Sequence, residues 1–284
     1  MKRIIAILSL SGIIFLSSCG SQESGNNTAA VDSTLLELMD TTAEKTHEIL
    51  DFKFFYTIAN LPSPMEIIHA IYSYEVPFNK DLLNSPAAEG KYSTAYKKAI
   101  NYGIYGIDMA YAAFYGQNQD LLEYYSSTRK LSEKLGVQET FDKFTTSFRE
   151  SSDNKDSLIK MIDRAYAETD AYLKTNRRLE VAAHVLAGTI IEVQYLSVEL
   201  MKDREQNARN KDIFEKIYNQ KLYLDNLVNL MTEMKKFPSS AKLLAELEVL
   251  KAEFDTIKTP DELTKENLYK LSAAIQKVRG GMIS

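Results

Sequence analysis

An all-α fold, a multi-helix antiparallel bundle of about nine or ten helices behind a flexible N-terminal tether, is predicted by three features of the sequence. Turn-forming residues are scarce. No proline lies between Pro86 and Pro238, and Gly188 is the only glycine between Gly136 and Gly280. Strand-rich domains need such residues every ~8–12 positions. Apolar residues also recur at helical spacing: Leu243, Leu247, Leu250, Phe254 and Ile257 step by 4, 3, 4 and 3, which draws one stripe along a helix. Finally, helix starts are written out. Thr259-Pro260-Asp261-Glu262 places Thr at the N-cap, Pro at the first helical position and Glu at the third, and Ser63-Pro64-Met65-Glu66 repeats the arrangement.

In chain order the predicted helices are 34–59, 64–74, 87–115, 117–135, 138–150, 155–174, 177–205, 209–235, 240–257 and 261–279. The second starts at the Ser63 cap. The third follows the cap pair Ser85-Pro86, although Glu89 falls one residue late for a capping box, and a break is expected in it around Gly90 or Gly103. Gly136 ends the fourth. The apolar run 181–200 makes the helix over 177–205 the most hydrophobic of the domain. Ile213, Ile217, Leu224, Leu227, Met231 and Met234 stripe the next, and Leu268, Leu271, Ile275 and Val278 the last. Short connections make successive helices antiparallel. Residues 155–176 are where two bundles would part, but no shift of composition marks a boundary there. No 34-residue repeat of the tetratricopeptide kind occurs.

Composition narrows the function classes. Hydrophobic residues at 45% and charged residues at 26% are the balance of an ordinary globular protein. With no Trp, the aromatic contacts fall to 17 Tyr and 12 Phe. Net charge is −5 over the chain; without Lys2 and Arg3 it becomes −7, from 32 basic and 39 acidic residues. An acidic chain without a Lys/Arg cluster excludes nucleic acid as an expected partner, since phosphate binding needs a basic footprint. Cys19 is the only cysteine, which excludes an intrachain disulfide, a cysteine zinc site and a catalytic thiol elsewhere.

The N-terminus explains that cysteine. Lys2 and Arg3 precede the apolar run 4–16, which is shorter than the ~20 residues of a spanning helix. The run closes in Leu16-Ser17-Ser18-Cys19-Gly20. This resembles the lipobox of bacterial lipoprotein signals over residues 1–20. The resemblance implies that a diacylglyceryl group joins the Cys19 sulfur, that signal peptidase II cuts just before it, and that the new amine is acylated. It divides the chain into a signal peptide 1–18, a lipidated Cys19 with a polar linker over 19–33, and an all-helical domain 34–284. It also implies a place in the cell envelope, at the outer membrane, since Gly20 rather than Asp follows the cysteine. The expected partners are the membrane itself and other envelope proteins, and no cofactor is expected beyond the covalent lipid on Cys19.

No catalytic residue is assigned, and no metal ligand. Glu44 with His47 and Glu66 with His69 both read E-x-x-H, which places a carboxylate and an imidazole on one helix face, as in ferritin-like di-iron bundles. That family needs the pairs on separate long helices, whereas here they stand 22 residues apart with Pro62 and Pro64 between. Helical proteins of the imelysin type carry H-x-x-E, but His47, His69 and His184 are followed three residues on by Leu50, Tyr72 and Ala187. Ser157 and Lys160 form S-x-x-K on the polar start of a helix, without partner motifs. Tyr102-Gly103-Ile104-Tyr105-Gly106 lacks the third glycine and preceding strand of a dinucleotide loop.

The stretch 101–116, NYGIYGIDMAYAAFYG, is the least ordinary. Small residues at 103, 106, 110 and 113 let a neighbouring helix come close, and Asp108 stands alone among tyrosines; Gly188 and Glu192 pair a small residue and a lone acid in the same way. Tight packing, with both acids hydrogen-bonded to Tyr hydroxyls, is the preferred account. The alternative is a small-ligand pocket built from Asp108, Glu192, Tyr105 and Tyr111. The sequence therefore predicts a membrane-anchored binding or scaffold protein without enzymatic activity, with a ligand receptor or envelope enzyme as the second reading.

Overall fold

The computed structural model describes residue 63, residues 65–143 and 178–284, and positions 160, 164, 168, 171, 172, 175 and 176. The predicted signal peptide 1–18, Cys19, the linker 19–33, the helix 34–59 with Glu44 and His47, and most of 144–177 lie outside the described residues. What is described belongs to one compact unit, is all-α, and contains no strand.

We name its helices α1 (Met65–Ser73), α2 (Ala95–Phe114), α3 (Asn118–Leu135), α4 (Leu179–Met201), α5 (Lys211–Glu233), α6 (Pro238–Phe254) and α7 (Lys265–Ile283). Residues 138–143 are helical too. Ser63 Oγ accepts the Met65 N–H at 3.1 Å and starts α1. Thr94 Oγ1 caps α2 through the Lys97 N–H at 3.1 Å. The first three helices end alike, on a residue in the left-handed region: Glu75 (φ 60), Gly116 (φ 66) and Gly136 (φ 68). The next N–H then reaches five residues back, from Val76 to Ile71 O, Gln117 to Ala112 O and Val137 to Ser132 O, closing the last turn as a Schellman motif. Glycine adopts this φ freely, whereas a residue with a Cβ such as Glu75 gives up roughly 1 kcal/mol.

Two predicted starts move. Pro86 opens a 3₁₀ turn, Pro86–Lys91, and α2 begins only at Ala95. Buried Tyr92 draws the chain inward there, its hydroxyl bonded to Asn84 at 2.9 Å. The break falls just after Gly90, and Gly103 lies in unbroken helix. Near Thr259 only a 3₁₀ turn forms, Pro260–Glu262. Glu262 does reach back, to the Lys258 N–H at 2.8 Å, but buried Leu263 ends the turn and Thr264 caps α7.

The long apolar helix α4 is the centre of the bundle. By length and composition it could cross a membrane, yet 83% of its most apolar window is buried against other helices. Salt bridges from Lys221 to Asp255 and from Lys251 to Asp225 show α5 and α6 antiparallel. Contacts of Glu192 with Arg279 and of Glu199 with Ser272 do the same for α4 and α7. α2 and α4 instead run in the same direction, as the order Tyr96 to His184, Ile100 to Gly188 and Gly103 to Thr189 requires.

His184 fastens α4 to α6. It is 2% exposed, bonds through Nε2 to Ser240 Oγ at 3.0 Å, and meets the Tyr96 ring edge-on at 4.8 Å. Glu180, one turn earlier, accepts from Ser239 Oγ at 2.8 Å. Burial holds the imidazole down at about 4, against 6.5 when free. The folded state therefore binds fewer protons than the unfolded chain between these values, and stability falls as pH drops through that window. The His184 contribution to this loss is up to about 3 kcal/mol between pH 7 and pH 4, and is read as the difference between wild type and His184→Gln in urea titrations.

Candidate functional site

The small residues of α2 and α4 meet as their spacing predicts. A Cβ on Gly103 would stand 2.2 Å from Val185 O, and one on Gly188 would stand 2.0 Å from Ile100 O. The two backbones touch, and four residues beyond Gly188 the chain carries Glu192 inward to meet Asp108 of α2. Both acids are 0% exposed.

Neither carboxyl uses a Tyr hydroxyl, which corrects the expectation. The partner is Arg279 of α7, 6% exposed: its Nε donates to Glu192 Oε2 at 2.5 Å and its Nη2 to Glu192 Oε1 at 2.8 Å. The guanidinium also lies over the Tyr195 ring, 4.1 Å from its centre, a cation–π contact that favours the charge in an apolar setting. Burial works to lower the Arg279 pKa, but attraction and hydrogen bonding from Glu192 hold it above its ordinary value. Asp108 takes the Asn84 N–H on Oδ2 at 3.1 Å, and no donor reaches Oδ1. Burial first, then the negative Glu192, pushes its pKa well above the usual carboxylate range. Buried with no cation of its own, Asp108 is favoured as the neutral acid, and Glu192 and Arg279 balance each other.

The cover over this cluster is an irregular segment, 76–92, of which the sequence leaves only 76–86 between helices and predicts 87–92 as helix. Leu82 O accepts from Arg279 Nη2 at 3.1 Å, and Ser85 O accepts from Tyr105 at 2.8 Å. Asn84 joins Tyr92 at 2.9 Å and Asn101 at 3.0 Å, while Asn101 donates to Met282 O of α7 at 3.0 Å. Tyr111 accepts from the Asn79 N–H at 3.1 Å and stacks on Phe78 at 5.0 Å. Of the four residues singled out in the sequence, Asp108 and Glu192 are brought together, while Tyr105 and Tyr111 hold the cover above them.

Sequence reasoning missed Arg279 and Asn84. A signal for Arg279 exists: it follows Ile275 by four and precedes Met282 by three, so it continues the α7 stripe inward. A cation on a buried stripe requires an anion, and Asp108 and Glu192 are lone acids on apolar helices. Asn84 carries no comparable signal, because nothing periodic places a loop residue.

The second E-x-x-H pair does not converge on a metal geometry. Glu66 is exposed and lies 3.9 Å from Lys216, while His69 leans on Phe114 with ring centres 5.9 Å apart. Both line an open groove of about 530 Å³ between α1 and α5. Among the described residues no three His, Cys, Asp or Glu side chains gather as a metal site. Set against protein-family models, curated proteins and solved structures, the chain matches none of them.

Proposed function

We propose that this chain is a lipid-anchored helical protein of the bacterial cell envelope, with a non-enzymatic binding or scaffold role. The observation that carries the anchor is the order of residues 1–20: Lys2 and Arg3, the apolar run 4–16, then Leu16-Ser17-Ser18-Cys19, in a chain with no other cysteine. Diacylglyceryl transfer to Cys19 and cleavage before it leave an N-terminus whose two or three acyl chains hold a membrane at about 0.8 kcal/mol per buried CH₂. Gly20 points to the outer membrane. The polar linker up to residue 33 spaces the helical domain from the lipid, within reach of envelope proteins, and the acidic net charge of the chain disfavours nucleic acid as a partner.

The state of the buried cluster supports a scaffold over an enzyme. Glu192 is committed to Arg279 on both oxygens, and Asp108 has no surface in contact with solvent. The second reading, a ligand receptor or envelope enzyme built on Asp108, Glu192, Tyr105 and Tyr111, needs those acids to meet solvent, which they do only if the cover moves. Radiolabelled palmitate fed to cells making the wild type or Cys19→Ala tests the anchor. Label and membrane retention are expected only with the wild type, and equal labelling of the two would overturn the reading.

A further inference from the structure

We propose that residues 79–92 are a proton-gated strap, seated over the buried Asp108, Glu192 and Arg279 while Asp108 keeps its proton and released when that proton is lost.

The first ground is how the strap is held. From Asn79 to Glu89 its polar links run to side chains of other elements: Tyr111, Tyr105 and Asp108 on α2, Ser127 and Lys134 on α3, and Arg279 on α7. Two short 3₁₀ turns, Lys80–Leu82 and Pro86–Lys91, are its only regular structure. α2 and α4, in contrast, are locked backbone to backbone at Gly103 and Gly188. Tyr92 and Ala88 anchor the C-terminal end of the strap in the core and Leu82 and Leu83 pack on it, while the polar links between are separate hydrogen bonds, each worth about 1 kcal/mol net, that can open locally.

The second ground is charge. Two carboxyls and one guanidinium are buried together, and among the described residues the other groups turned toward the cluster bring no free cation. Tyr105 from α2, Tyr124 from α3, Tyr195 from α4 and Tyr92 from the strap are phenols that burial keeps protonated. Lys80 of the strap is paired with Asp120, Lys134 of α3 with Glu89, and Lys202 beside Glu199 with that acid. When the Asp108 proton passes to water, the cluster carries one uncompensated negative charge, repelled by Glu192. Arg279, drawn toward a second carboxylate, gives up Leu82 O. The Asn84 N–H bond strengthens but cannot hydrate the new charge, so water enters where the cover is weakest.

The sign follows from Asp108. Its folded pKa lies above the unfolded value of 3.8. The closed strap therefore has its full stability below that value and loses it as pH rises through the folded pKa, opposite to His184. Hydrogen–deuterium exchange on the full-length chain, corrected for the intrinsic pH dependence of exchange, tests this. Protection of the Leu82 to Glu89 amides is expected to fall by up to about tenfold per pH unit between 3.8 and the folded pKa and to level off above it, while α2 and α4 amides stay protected. In Asp108→Asn, which keeps an acceptor for the Asn84 N–H without a titrating proton, strap protection is expected to stay level. Strap protection that is flat with pH in the wild type, or lost together with α2 and α4, overturns the proposal. The wild-type profile decides the matter even if the variant does not fold.

Discussion

Glu192→Ala is expected to destabilise the folded domain by about 3–5 kcal/mol, because it strands a buried cation. Arg279 is 6% exposed and stays charged. Without Glu192 its Nε has no partner, and Nη2 keeps only Leu82 O. Protonated Asp108 cannot serve as the counterion unless it ionises in the core. Urea unfolding at neutral pH measures the loss. Since a domain of this size is held by only about 5–15 kcal/mol in total, the variant is expected to be near the edge of folding. Glu199→Ala, one of the partly exposed charge networks on the same helix, is expected to lose far less, because the Lys202 freed beside it is 20% exposed and can turn to water.

Gly188→Ala is expected to be the second most damaging change, although helix propensity alone favours alanine by about 1 kcal/mol. The added Cβ would lie 2.0 Å from Ile100 O and 2.9 Å from its carbonyl carbon. The clash is with backbone, so no rotamer relieves it, and the two helices must separate. Separation opens the interface that places Asp108 against Glu192, so the cost exceeds the roughly 1–3 kcal/mol of ordinary overpacking. Gly280→Ala is the opposite case. Nothing lies within 4 Å of its Cβ position, and the substitution is expected to stabilise α7 by about 0.5–1 kcal/mol. Opposite shifts in thermal midpoint for these two glycine substitutions check the packing account.

The sequence made helices and their contact stripes legible because burial imposes a period. Leu243, Leu247, Leu250 and Phe254 are all buried in α6, as their spacing demands. Gly103 and Gly188 were legible as a close approach, because only a shared contact explains small residues amid large apolar ones. Proline caps were read less well. Ser63 starts its helix, but Pro86 and Pro260 begin 3₁₀ turns, since the inward pull of Tyr92 and Leu263 outweighs the local cap signal. The buried acids were legible as anomalies but their partner was not. Arg279 comes from a helix 87 residues beyond Glu192, and periodicity along one element does not say which elements meet. The 76–92 cover was invisible for a related reason: its placement rests on hydrogen bonds from α2, α3 and α7 rather than on a pattern of its own.

A double-mutant cycle on Glu192 and Arg279 tests most directly whether the buried cluster is a closed ionic core. The cycle compares Glu192→Ala, Arg279→Ala and the double variant by urea unfolding. A closed core predicts that the double variant is no less stable than either single one, with a coupling of at least about 2 kcal/mol. Losses that simply add would contradict it, because the two side chains would then be solvated independently.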